Sequence, residues 1–331
     1  MTRREIINQG GIALTALSFP LSAFRKFYQM TDNNNFEVII IGGSYAGLSA
    51  AMALGRSLRK VLIIDSGLPA NRQTPYSHNF ITQDGEKPSV IAEKAKTQVL
   101  NYTTVQFLND LAVSGRKSET GFEIITQAGR EFKAKKLIIA TGIKDTMPDI
   151  KGFAECWGIS VIHCPYCHGF EFRGQKTAIS ANGEAASHLA SLVNNLTDNT
   201  TILTSGKADF KPEQIAKFNS HNITIIETGI SQIEHHNGYI KNVIFNNGDK
   251  IDFNAMYAVL PFTQHSDIPV SLGCELTEKG HIKIDSFQKT TIAGIFVCGD
   301  NSSMMRSVAN AVYTGNLAGA MVNKELIDEQ F

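Results

Sequence analysis

Phe36-Glu37-Val38-Ile39-Ile40-Ile41-Gly42-Gly43-Ser44-Tyr45-Ala46-Gly47 decides how the rest of the chain is read. Its first half is a continuous apolar, β-branched run, the pattern of a strand buried on both faces and hence of a parallel sheet. The glycines follow at once, and Leu48-Ser49-Ala50-Ala51-Met52-Ala53-Leu54 then reads as a helix. Lys60-Val61-Leu62-Ile63-Ile64-Asp65 is a second strand, ending in an acid about twenty residues past the glycines. This is a βαβ unit for a dinucleotide. Gly42 permits the tight turn, Gly47 permits close packing of helix on strand, and the helix N-terminus offers free N–H groups to a pyrophosphate. Asp65 is placed to accept hydrogen bonds from a ribose. Ser44 stands where the fingerprint has its second glycine, and its Cβ is expected to shift the pyrophosphate slightly.

The chain has 331 residues, 43% hydrophobic and 19% charged, which predicts two ordinary domains with packed cores. Lys+Arg and Asp+Glu both count 31, a balance that argues against an electrostatic nucleic-acid binder or a basic membrane-surface protein. The five cysteines include one tight pair, unlike a disulfide-stapled secreted fold.

That pair lies in His163-Cys164-Pro165-Tyr166-Cys167-His168-Gly169-Phe170. Two intervening residues let both sulfurs close a small-ring disulfide or hand electrons between them. His168, with an ordinary pKa near neutrality, can give and take protons. The stretch also spells the c-type haem attachment pattern, but its surroundings read as α/β and not as a haem fold. A zinc site would need four ligands, and His163, Cys164, Cys167 and His168 are too cramped to form a tetrahedron alone, so no metal is assigned. Cys156, Cys274 and Cys298 lie in apolar or strand-end contexts and read as inert thiols. His78, in Thr74-Pro75-Tyr76-Ser77-His78-Asn79-Phe80, is a lone histidine of the kind that is usually structural.

Two further strands end in signatures: Lys136-Leu137-Ile138-Ile139-Ala140-Thr141-Gly142, and Thr291-Ile292-Ala293-Gly294-Ile295-Phe296-Val297-Cys298-Gly299-Asp300. With the first site and the cysteine pair, they make the chain resemble the low-molecular-weight thioredoxin reductases from about Phe36 to about Lys324. The resemblance implies an α/β fold of two Rossmann-like (three-layer ββα) nucleotide-binding domains, the second inserted into the first. It places the first part of an FAD domain at 36–150, the inserted NADPH-type domain at 151–264, and the second part of the FAD domain at 265–331. It implies FAD as the tightly bound cofactor. Gly42, Gly43, Ser44 and Gly47 would cradle its pyrophosphate, with Asp65 on the adenosine ribose. Arg72 and Gln73 would touch the flavin, Thr141 and Gly142 would close over the cofactor, and Gly299 and Asp300 would hold the ribityl chain. Arg306-Ser307-Val308 would open the last helix, with backbone N–H groups toward the flavin's pyrimidine edge. Cys167 would face the flavin, Cys164 would exchange with the substrate, and His168 would move protons. A thiol or disulfide substrate and a homodimer are implied too. The small residues of Val308–Ala320 suit either close helix packing or approach to a cofactor or dimer partner.

The chain departs from those reductases in two places. An aspartate usually stands where this sequence has His168, and Cys-Pro-x-Cys-His resembles instead a branch of FAD-dependent dithiol oxidases. After Gln175-Lys176-Thr177-Ala178-Ile179-Ser180, the expected Gly-x-Gly-x-x-Ala turn reads Ala181-Asn182-Gly183-Glu184-Ala185-Ala186. Ala181 resists the positive φ of the tight turn, and Glu184 puts negative charge where a pyrophosphate would sit. Ser205-Gly206-Lys207 replaces the basic cluster that would meet a 2′-phosphate. The expectation is dithiol oxidation with weak or no NADPH use; an NADPH-dependent thioredoxin-disulfide reductase and a non-catalytic redox-sensing flavoprotein stay open. Residues 1–35 read as a twin-arginine signal, from Arg3-Arg4 and a short apolar run, directing export to the periplasm, or as a disordered extension of a cytoplasmic protein starting at Met30. That run is too short to span a bilayer.

Overall fold

The computed structural model describes residues 34–331, so the twin-arginine reading lies outside the described residues. In chain order the elements are β1 (Asn35–Ile41), α1 (Tyr45–Arg56), β2 (Val61–Asp65), α2 (Pro88–Leu100), β3 (Val105–Asn109), β4 (Ala112–Ser118), β5 (Gly121–Thr126), β6 (Glu131–Ile139) and β7 (Ile143–Asp145). Then come α3 (Phe153–Cys156), β8 (Val161–Ile162), α4 (Pro165–His168), β9 (Thr177–Ser180), α5 (Gly183–Val193), β10 (Thr200–Leu203), α6 (Pro212–Ser220), β11 (Thr224–Ile226), β12 (Ile230–His236), β13 (Tyr239–Phe245) and β14 (Lys250–Ile251). The chain closes with β15 (Ala255–Ala258), β16 (Phe262–Gln264), α7 (Ile268–Ser271), β17 (Ile295–Val297) and α8 (Val308–Gln330).

The first sheet runs β3-β2-β1-β6-β5-β4, with β17 also pairing to β6. β1 is parallel to β2 and β6, as the unbroken apolar run requires. Val38 and Ile40 point into a core shared with α1, α2 and α8, while Ile39 and Ile41 point into the core under β4 and β5. β6 begins upstream of the signature stretch that opens at Lys136. Its burial alternates over Glu131–Lys135, where it pairs antiparallel with β5, and is continuous over Lys136–Ile139, where β17 lies parallel beside it. The signature strand ending in Gly299-Asp300 is shorter than its sequence suggests, because Gly294, at φ +81°, turns the chain just before β17.

α8 packs on α1 backbone to backbone. A Cβ at Gly315 would lie 2.1 Å from the Ala46 carbonyl oxygen, and one at Gly319 2.6 Å from that of Ala50. At these two positions the small residues serve helix packing. The second sheet, β11-β10-β9-β15-β8, is parallel throughout, and β12-β13-β14 form its small antiparallel layer. β7 and β16 pair antiparallel as a separate two-stranded ribbon. Among the described residues, no helix is long and apolar enough to cross a membrane.

Candidate functional site

The turn after β1 is built around backbone that tolerates no side chains. Gly42 sits at φ +102°, where a Cβ would meet the Ala140 carbonyl oxygen at 2.3 Å. A Cβ at Gly47, in the first turn of α1, would lie 1.9 Å from the Gly42 carbonyl oxygen. Ser44 is the N-cap of α1 at an ordinary φ of −87°, and its hydroxyl caps nothing in the helix. Asp65, at the end of β2, accepts the Gly43 N–H at 2.6 Å and the Gly67 N–H at 2.8 Å. Each carboxylate oxygen keeps a lone pair for a further donor.

This turn forms one wall of a cavity of about 1210 Å³. Gly42, Gly43, Ser44, Asp65, Arg72 and Gln73 line it, as do Thr141, Gly142, Gly299, Asp300, Arg306 and Val308. Gly47 stands behind this lining and shapes the turn through contact with Gly42. Arg72 donates to the Pro69 carbonyl and Gln73 to that of Ala154, which fixes the loop they share. α8 opens with Ser307 as N-cap and Val308 as its first residue, so Arg306 precedes the helix. The Arg306 guanidinium forks onto Asp145 with two bonds of 2.8 Å, and its Nε lies 3.8 Å from Asp300. Burial pushes the Asp300 carboxyl up to about 6, against the pull of Arg306. Thr314 of α8 accepts the Gly299 N–H at 3.0 Å and so ties the end of β17 to the helix.

Cys164 and Cys167 form a disulfide with Cα atoms 5.3 Å apart. Cys164 is the N-cap of α4, and its sulfur accepts the Cys167 N–H at 3.1 Å. A donor on that sulfur favours Cys164 as the thiolate that exchanges outward. Cys167, not Cys164, lines the cavity, together with His163, His168 and Trp157. His163 lies beside Trp157, ring centroids 6.0 Å apart. Burial holds His163 down at about 3 and His168 at about 4, so both imidazoles are neutral at pH 7. The near-neutral pKa expected of His168 is thereby corrected; desolvation in the cavity wall disfavours the charged ring. Cys156 is pushed up to about 11 and Cys298 to about 12 by burial, and Cys274 is raised too, which keeps all three as thiols.

Three buried polar atoms of lining residues have no hydrogen-bond partner among the described residues: Thr141 Oγ1, His163 Nε2 and Arg306 Nε. Buried polar atoms are normally satisfied, so this set fits a large polar ligand filling the cavity. Sequence reasoning named the glycine turn, the strand ends and the flavin-facing cysteine of this lining but gave no role to Asp145, Trp157 or His163. None of them belongs to a spacing pattern; the Arg306 fork and the cavity bring them in.

The histidine pKa values set a pH dependence. An unfolded imidazole titrates near 6.5. Below that pH the unfolded chain takes up two protons that folded His163 and His168 refuse, so stability falls as pH falls, levelling near the folded values. Asp300 opposes this below about 6, as one group against two. From pH 7 to pH 5 the melting temperature is expected to drop on the order of 5 °C, and by less in His168→Gln. A melting temperature that is flat or rises over that interval would show that these rings are not held neutral.

The second glycine turn is closed by its own side chains. The positive φ that Ala181 cannot supply appears at Gly183, +58°. The Asn182 carboxamide oxygen accepts the N–H groups of Gly183 and Asp209, both at 2.9 Å, and its amide donates to Lys207. Lys211, on the loop before α6, reaches Glu184 at 2.8 Å.

A family model described as pyridine nucleotide-disulphide oxidoreductase matches residues 36–315. Thioredoxin reductase tcpT of Claviceps purpurea is 31% identical over 311 residues, 90% of this chain and 96% of that protein. Thioredoxin reductase sirT of Leptosphaeria maculans is 32% identical, over 87% and 93% of the two chains. A solved oxidoreductase from Agrobacterium tumefaciens superposes with a TM-score of 0.83 at 35% identity, covering 89% of this chain and 99% of that one.

Proposed function

Since this chain belongs to the pyridine nucleotide-disulphide oxidoreductase family, we propose that it oxidises a dithiol through Cys164 and Cys167 and delivers the electrons to FAD, with weak or no use of NADPH. The chain is a thioredoxin reductase-like flavoenzyme acting on sulfur groups, and FAD is its cofactor. One observation carries the direction: a disulfide on the wall of the dinucleotide cavity, flanked by two neutral imidazoles. A neutral imidazole keeps an unprotonated ring nitrogen that can take a proton from an incoming thiol.

The residues act as follows in this reading. N–H groups of the Gly42–Ser44 turn and of α1 hold the pyrophosphate, and Asp65 takes the adenosine ribose. Thr141, Asp300 and the start of α8 at Val308 bind the flavin half, whose bound ring supplies two-electron redox chemistry. A substrate thiolate attacks Cys164, and Cys167 leaves as a thiolate facing the cavity. The second substrate thiol, deprotonated by His168, expels Cys164 and closes the product disulfide. The closed turn at Asn182 and the paired Lys211 support weak NADPH use, because the donors and the cation a nucleotide phosphate would need are already engaged. A homodimer, as the family resemblance implies, and export by the twin-arginine route belong to the same proposal.

The relatives named as thioredoxin reductases favour a second reading, an NADPH-dependent disulfide reductase. Anaerobic addition of NADPH, and separately of dithiothreitol, to the yellow protein decides between them. Rapid bleaching of the flavin by dithiothreitol and not by NADPH is expected. Rapid bleaching by NADPH would sink dithiol oxidation as the main activity, and a flavin that responds only to strong reductants would point to a redox sensor.

A further inference from the structure

Neither imidazole beside the cysteine pair is ionised, and both are half-buried on the cavity wall. Closing a dithiol to a disulfide releases two electrons and two protons. The electron pair leaves through Cys167 to the flavin. Each substrate S–H that breaks gives its proton to a base, and that base must unload before the next turnover.

We propose that His78 is the proton outlet of this centre, a positioning residue that takes the proton from His168 and delivers it to solvent past Glu171 and Asp84. This rests on the dithiol reading of the same site. His78 lines the cavity together with Cys167 and His168. Its Nε2 lies 3.5 Å from Glu171 and its Nδ1 3.8 Å from Asp84. The imidazole is 21% exposed, whereas the two carboxylates, one on each ring nitrogen, are 37% and 68% exposed, so exposure rises from the ring to either carboxylate. After burial, the larger cause, His78 also disfavours a charge on His168. The groups facing His78 are thus His168 and Glu171 from the segment that carries the cysteines and Asp84 from its own loop. Both carboxylates can accept a proton leaving the ring at the outer end of the path.

A purely structural role fits poorly. The loop around His78 is held by its own backbone: Ser77 N–H donates to Glu86 at 2.8 Å and Gly85 N–H to Ser77 at 2.9 Å. Asp84 caps the Asn79 N–H at 2.7 Å. None of these bonds uses the imidazole. Its own contacts, at 3.5 and 3.8 Å, are longer than a firm hydrogen bond and leave the ring free to turn or to work through a bridging water.

The test is His78→Gln in the FAD-loaded full chain, bleached anaerobically with dithiothreitol from pH 6 to pH 9. We expect bleaching about tenfold slower at neutral pH, restored by added imidazole, with a larger solvent deuterium effect. The flavin spectrum and melting temperature should match the parent. Bleaching at the parent's rate overturns the proposal, and so does a slow variant that keeps the parent's pH profile and ignores imidazole. Glu171→Gln carries the same test, with a milder slowing, should His78→Gln fail to retain FAD. The comparison is repeated in reverse, from photoreduced enzyme with oxidised dithiothreitol as acceptor. A parent that dithiothreitol fails to bleach ends the dithiol-oxidase reading, while the reverse reaction still judges the relay.

Discussion

Cys167→Ser is expected to lose dithiol turnover by on the order of a thousandfold or more while keeping FAD bound. Cys167 is the sulfur of the pair that lines the cofactor cavity. A serine hydroxyl there can neither close the disulfide nor pass an electron pair onward. Cys164 survives in the variant, with the residue-167 N–H still placed to favour its thiolate. It should therefore trap an activated thiol as a stable mixed disulfide, visible by intact-mass measurement. Cys164→Ser should lose turnover equally and form no adduct at this site. Turnover retained in Cys167→Ser would remove the pair from the chemistry.

Gly47→Ala is expected to release the cofactor. The position is helical, so alanine costs nothing in backbone conformation. Its Cβ would nevertheless sit 1.9 Å from the Gly42 carbonyl oxygen, which is backbone and cannot swing aside. Either α1 lifts off the sheet or the turn opens, and both displace the N–H groups that face the cavity. Overpacking of this kind costs roughly 1–3 kcal/mol in stability. FAD affinity should fall by on the order of a hundredfold, since about 3 kcal/mol of lost interaction gives that factor. The measurements are the flavin content of the purified protein and titration of the apoprotein with FAD. Ser44→Gly, at an unstrained φ, serves as the control and should bind FAD within a few-fold of the parent. Full flavin content in Gly47→Ala would show that the turn does not shape the site.

The fold was legible where burial is uniform. β1 and β2 are apolar on both faces, so the parallel sheet could be read from composition alone. β6 was legible only in its second half, because its first half alternates and its second does not. In the site, residues with steric or redox signatures, such as Gly42, Asp65, Cys164 and Cys167, stood out in the sequence. Asp145 did not, because its importance comes from Arg306, 161 positions away in the chain. The pKa of His168 was likewise unreadable, since burial is a property of the packed cavity and not of the motif.

The β7–β16 ribbon has a consequence for how such a molecule can be taken apart. Asp145 and Phe262 are direct partners in it, and every strand of the second sheet and its small β-layer lies between them in sequence. The inserted half thus leaves and re-enters through adjacent positions, roughly one strand spacing, about 5 Å, apart. A two-residue hairpin turn closes such a gap. The flavin-binding half is therefore a contiguous body with a plug-in port: excising 146–261 and joining the ends by a tight turn would leave its sheet intact, and another module could be mounted on the same two strands. Arg306, forked onto Asp145, is the bolt that holds the port against the cofactor cavity.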